Sequence, residues 1–100
     1  MSSIEKKKFG ESELLVKPIG RIDIALAPEL ENEVNSEIDK ITYLTIDMSE
    51  VDYISSVGLR ALLSFQKQMN SKGEMKVVNV KPEVLEIFKM VGFDKVLNII

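Results

Sequence analysis

Few residues in this chain can do chemistry, and their types narrow the field at once. Its 100 residues contain no histidine and no cysteine. That removes the commonest general base, the commonest metal ligand, the usual pH switch, any thiolate nucleophile and any disulfide. Carboxylates and hydroxyls remain. Asp23, Asp47 and Asp52 are the carboxylates that could be imagined as a cluster, but the paired spacing of a calcium loop is missing and no nitrogen or sulfur donor can join them. The residues therefore predict no metal, no cofactor and no enzymatic activity.

Ser55 and Ser56 are more informative. They stand just before a stretch of helical spacing that begins at Val57. A hydroxyl there can accept a hydrogen bond from an unpaired N-terminal N–H and simply cap the helix. Capping is the commoner role on local chemistry alone, but a serine there can also serve as a charge switch, because a helix N-terminus accommodates phosphate and a phosphoserine adds about −1.5 to −2 charges. Arg60, one turn beyond Ser56, is spaced to steady such a charge. Gly58 allows another backbone, or a partner, to approach closely. Asp23 reads from local chemistry as a turn-stabilising residue. Asp47 ends an apolar run and reads as structural, accepting hydrogen bonds from the Ser49–Asp52 turn.

The elements that must position these residues follow from periodicity. Residues 4–19 read as two strands around Gly10-Glu11-Ser12, with Pro18 marking an edge or a strand end. Residues 20–24 carry the chain out of the hairpin. A first helix is predicted with Pro28 at its first position and a buried stripe of Leu30, Val34, Ile38 and Ile41. Residues 43–48 read as a buried strand and residues 49–52 as a turn. A second helix runs from Val57 to about Ser71, with Gly58, Leu62, Phe65 and Met69 in one apolar row widened by Leu59 and Leu63, and a glycine cap at Gly73. Another strand covers residues 75–80. Pro82 opens a third helix whose Val84, Ile87, Phe88 and Val91 share a face, and Gly92 ends it. Residues 96–100 are a last strand or a half-turn. Met48, Met69, Met75 and Met90 read as core filling. The order predicts one α/β domain over residues 1–100, with much of its sheet parallel.

Charge and hydropathy exclude other classes. A net charge of −3 and a pI near 5.0 argue against nucleic-acid binding, which calls for a basic face. Lys6, Lys7 and Lys8 form a basic run that reads as a solvated edge. Nothing resembles a signal peptide, and no apolar run is long enough to span a bilayer. The expectation is a cytoplasmic protein with no direct membrane insertion.

Three separated motifs carry a resemblance. Asp47-Met48-Ser49, Tyr53-Ile54 and Ser55-Ser56-Val57-Gly58-Leu59 are similar to the central signature of the STAS family. Gly20-Arg21-Ile22-Asp23 with Ala27-Pro28-Glu29-Leu30 resembles its first-half signature, and Val91-Gly92-Phe93-Asp94-Lys95-Val96 its closing pattern. The resemblance covers nearly the whole chain. It implies a mixed central sheet of four to five strands with helices mainly on one side. It also implies an anti-sigma factor antagonist, controlled by phosphorylation of the serine two positions before the glycine, here Ser56. The kinase would be the anti-sigma factor itself, and a cognate serine phosphatase would reset the switch. Asp23, Ser55, Ser56, Gly58 and Arg60 would form the partner surface. The family's common Asp before the phosphorylated serine is Ser55 here. A second reading is an unphosphorylated scaffold subunit of a transport or stress-signalling assembly, in which Ser56 only caps its helix and Ser56→Ala costs about 1 kcal/mol. A third, a nucleotide sensor, has no Gly-rich phosphate loop to support it.

Overall fold

The computed structural model describes residues 3–100, and its architecture follows from the alternation of apolar side chains along the strands. Strands β1 (Ile4–Phe9) and β2 (Glu13–Pro18) form an antiparallel hairpin. Strand β3 (Gly20–Ile22) follows, then helix α1 (Leu26–Asn35), strand β4 (Tyr43–Asp47) and strand β5 (Val51–Ile54). Helix α2 (Ser56–Asn70), strand β6 (Glu74–Val78) and helix α3 (Pro82–Met90) follow, and a 3-10 turn at Phe93–Lys95 leads into the tail. The main sheet has the order β1-β2-β4-β6, parallel at β2–β4 and β4–β6, and β3 pairs with β5 in a separate parallel ribbon. The architecture is a single α/β domain with a mixed four-stranded sheet and three helices.

Leu14, Val16, Leu44, Ile46, Met75 and Val77 point to one face of the sheet and are fully buried under the helices. Glu13, Tyr43, Glu74 and Lys76 point to the other face and are exposed. One covered face and one open face is what a period of two produces when helices pack on a single side. Residues 43–48 therefore form a half-buried strand, not one buried on both faces. Phe65 of α2 and Phe88 of α3 are the largest side chains in the core, and truncating either would cost about 3–5 kcal/mol.

The sheet's edges are treated differently. At β1, Lys6 and Lys8 share a face with buried Ile4 and reach toward α1: Lys6 Nζ lies 2.9 Å from Glu33 of that helix and Lys8 Nζ 3.2 Å from Glu37, just beyond its end. The basic run is thus partly engaged. A charge directed inward from an edge strand discourages pairing with another chain. At β6, the tail covers the edge: Val77 pairs with Ile99, and buried Gln66 accepts from the Asn98 N–H.

Several boundaries differ from the sequence expectations. Helix α1 starts two residues before Pro28, which sits at its third position. It also ends at Asn35, so buried Ile38 belongs to a separate 3-10 turn. Gly73 does not adopt the left-handed cap. Instead, a Cβ there would collide with the Thr42 carbonyl, so close approach requires the glycine. Gly92 does adopt it, at φ 78°. Val91 and Met90 are exposed, the latter by 82%, because α3 ends where its apolar stripe would have continued. Only Met48, Met69 and Met75 of the predicted methionines fill the core.

Candidate functional site

Short strands β3 and β5 were not evident in the sequence, yet they assemble the site. They run parallel, with Ile22 opposite Ile54, and each feeds directly into the start of a helix. The starts of α1 and α2 therefore lie at the same end of the molecule. The Ser55 N–H donates to the Ile22 carbonyl at 2.8 Å, closing the two junctions together.

At the first junction, Asp23 Oδ1 accepts from the N–H groups of Ala25 at 3.1 Å and Leu26 at 3.0 Å. These are donors that a helix start leaves without backbone partners. The hydrogen bond from Leu26 is the largest influence holding the Asp23 carboxyl below its ordinary value. It acts against desolvation, with help from Ala25 and the nearby Arg21 charge. The turn-stabilising role is therefore present, and it lies beside the Ser55–Ser56 segment.

At the second junction, Ser55 is the N-cap. Its extended backbone and its Oγ, which accepts from the Gly58 N–H at 3.3 Å, satisfy the start of α2. Ser56 is the first helical residue. Its side chain is exposed, and its hydroxyl makes no hydrogen bond among the described residues. The second reading, in which Ser56 only caps its helix, is corrected on that point: the capping falls to Ser55, because Ser56 already has helical backbone geometry. Ser55 and Ser56 divide one role from the other.

Gly58 is buried and serves packing. A Cβ at this position would lie 2.7 Å from both Ile22 Cγ2 and Ile54 Cγ1, and 3.0 Å from the Ile22 carbonyl. It presents no side chain to a partner; it lets α2 sit against β3. Arg60 is exposed on the outer face of α2 and lines a shallow groove with Glu31, Val57, Ala61 and Ser64.

Three surface residues at this end were missed in the sequence. Ile24, in the β3–α1 turn, is 76% exposed, and Tyr53 is 37% exposed. The Arg21 guanidinium stacks over the Tyr53 ring at 4.3 Å from its centroid. The signal available was an isoleucine directly after the turn aspartate, and an aromatic two residues before Ser55. Pairing Arg21 with Tyr53 required the β3–β5 register, which neither strand's three or four residues reveal alone.

Asp47 is structural, as expected, with its partners now identified. Partial burial pushes its carboxyl up, but bonds from the Ser49 N–H at 3.0 Å and from Asn79 Nδ2 at 3.1 Å outweigh this and hold it low. Among the described residues no group of His, Cys, Asp or Glu is arranged to hold a metal ion. No helix among them is long and apolar enough to cross a membrane.

Known proteins are similar to this chain in sequence and in fold. BtrV of Bordetella bronchiseptica, named provisionally as an anti-sigma factor antagonist, is 38% identical over 76 residues, covering 74% of this chain and 66% of BtrV, just under two thirds. The anti-sigma-B factor antagonist of Bacillus subtilis is 25% identical over 92% of this chain and 85% of its own. The crystal structure of an anti-sigma factor antagonist from Mycobacterium paratuberculosis superposes with a TM-score of 0.83 at 27% identity, over 97% of this chain and 85% of that one. The STAS domain matches residues 3–100, and with its strand order, its paired helix starts and its serine signature, this chain belongs to the STAS domain family.

Proposed function

We propose that this domain is an anti-sigma factor antagonist, a binding module that docks an anti-sigma-factor serine kinase and is switched off by phosphorylation at Ser56. One observation carries the reading: Ser56 offers an exposed, unengaged hydroxyl at the start of α2 while its neighbour does the capping. A side chain with no structural task can be modified without loss of the fold. The names of the two relatives support the antagonist assignment.

The docking surface in this reading is the end of the molecule where β3 and β5 meet the helices. Ile24 supplies an exposed apolar contact, and the stacked Arg21–Tyr53 pair supplies a rigid amphipathic one. Such residues dominate interface energetics, since little side-chain entropy remains to be lost on binding. Asp23, Ser55 and Gly58 position this surface from beneath.

In the phosphorylation step, Ser56 Oγ attacks the γ-phosphorus of ATP bound to the kinase. The bond to the β,γ-bridging oxygen breaks, ADP leaves, and the hydroxyl proton passes to a base on the kinase. The product carries about −1.5 to −2 charges beside apolar contact residues. Docking would then have to desolvate those charges, which opposes binding. A serine phosphatase returns the hydroxyl.

The test is intact-mass spectrometry after incubation with ATP and a soluble extract of the source organism, alongside Ser56→Ala. The expected result is one added phosphate on the native chain and none on the variant. No addition, from an extract that phosphorylates a control substrate, would favour a constitutive scaffold.

A further inference from the structure

Arg60 closes no ion pair among the described residues, although three ion pairs form elsewhere, from β1 to Glu33 of α1 and to Glu37 just beyond it. Its surroundings offer two anionic positions. Across the shallow groove between α1 and α2 stands Glu31, which lines that groove with Arg60, Val57, Ala61 and Ser64. On its own helix, Ser56 lies four residues back, and side chains at that spacing are neighbours on a helix surface. Both Ser56 and Arg60 are exposed. The other arginine at this end, Arg21, is stacked on Tyr53 and adjoins Asp23 on the β3 side.

A phosphoryl group on Ser56 would bring a near-dianion within reach of Arg60. The planar guanidinium donates two parallel N–H bonds to phosphate, a geometry that an ammonium cannot match. Glu31 offers a single charge across an open groove. The phosphate is the stronger competitor.

Resting on the reading of Ser56 as the modified residue, we propose that Arg60, unpaired on its side of the α1–α2 groove, is the phosphate-holding residue of this domain, with Glu31 as the competing charge across that groove. The guanidinium would partly neutralise the phosphate at the start of α2, and turning toward Ser56 would take its charge away from the Glu31 side of the groove. A partner that reads the phosphorylated form would then meet an altered groove as well as an added charge.

The test uses protein carrying phosphoserine encoded genetically at position 56, with the phosphate titrated by 31P NMR at low ionic strength. In the native background the second ionisation should fall below the roughly pH 6 of a free phosphoserine. Arg60→Gln should raise it by about 0.3–0.7 unit, the size of an exposed pair involving a divalent group. Arg60→Lys should recover only part of that shift, and Arg21→Gln should leave the titration unchanged. Glu31→Gln, which removes the competing negative charge across the groove, should lower it. An unchanged titration in Arg60→Gln, or an equal rise in Arg21→Gln, would overturn the assignment to Arg60. An unchanged titration in Glu31→Gln would overturn the role of Glu31 as the competing charge. Because the phosphate is encoded, these outcomes do not depend on any kinase. Failure of the extract assay bears on the switch, and failure here bears on Arg60.

Discussion

The two strand-to-helix junctions solve the same problem with different chemistry. The β3–α1 junction uses a carboxylate, Asp23, to satisfy the N–H groups of Ala25 and Leu26. The β5–α2 junction uses a hydroxyl, Ser55, which bonds the Gly58 N–H. At the third helical position, α1 has exposed Pro28, whereas α2 has buried Gly58 pressed against Ile22 and Ile54. The first junction is therefore charged and open, and the second is neutral and tightly packed. A neutral cap leaves the start of α2 free of a fixed negative charge, which favours adding a phosphate at the next residue. Tight packing at Gly58 then holds that residue in place on the surface.

The sharpest way to break this comparison is at the third helical position. Gly58→Ala should destabilise the fold by about 1–3 kcal/mol through overpacking against β3, measured by urea denaturation. Pro28→Ala should change stability by less than about 0.5 kcal/mol, since the site is exposed. Equal effects would mean that the two helix starts are packed alike.

A smaller effect separates the adjacent serines. Ser55→Ala should cost about 1 kcal/mol by removing the cap, while Ser56→Ala should stay within about 0.5 kcal/mol of the native chain. The reverse order would return the capping role to Ser56.

The smallest effect concerns acid. The folded-state pKa of Asp23 lies below the ordinary 3.8. Its contribution to stability is therefore present above that value and lost as the pH falls through the lowered one. Asp23→Asn keeps a capping side chain but cannot titrate. Between pH 7 and about pH 3 the urea midpoint of the native chain should fall further than that of the variant. Parallel curves would show that the carboxylate charge contributes nothing at this junction.

Much of the fold was legible because the long elements carry strong periodicity. The rows of α2 and α3, the hairpin around Gly10 and the alternation at β4 and β6 each repeat often enough to set their own identity. The family signature likewise pointed to the segments of Asp23 and Ser56, which the structure places at the two strand-to-helix junctions. What stayed hidden was short or relational. Three residues of β3 and four of β5 carry too little pattern to read as strands, and residues 49–52 looked like a continuous turn. The division of labour between Ser55 and Ser56 depends on which backbone is extended and which is helical. Two adjacent serines cannot reveal that by type.

The sequence by itself determined the absence of thiol and imidazole chemistry, the α/β order and the serine pair before a helix. Each is a property of composition or of local spacing. The tertiary structure alone decided that β3 lies beside β5. From that pairing follow the adjacency of two helix starts, the Arg21–Tyr53 stack, the need for glycine at position 58 and the placement of Arg60 across from Glu31. These are contacts between residues distant along the chain. They come from packing the elements together, which no local pattern records.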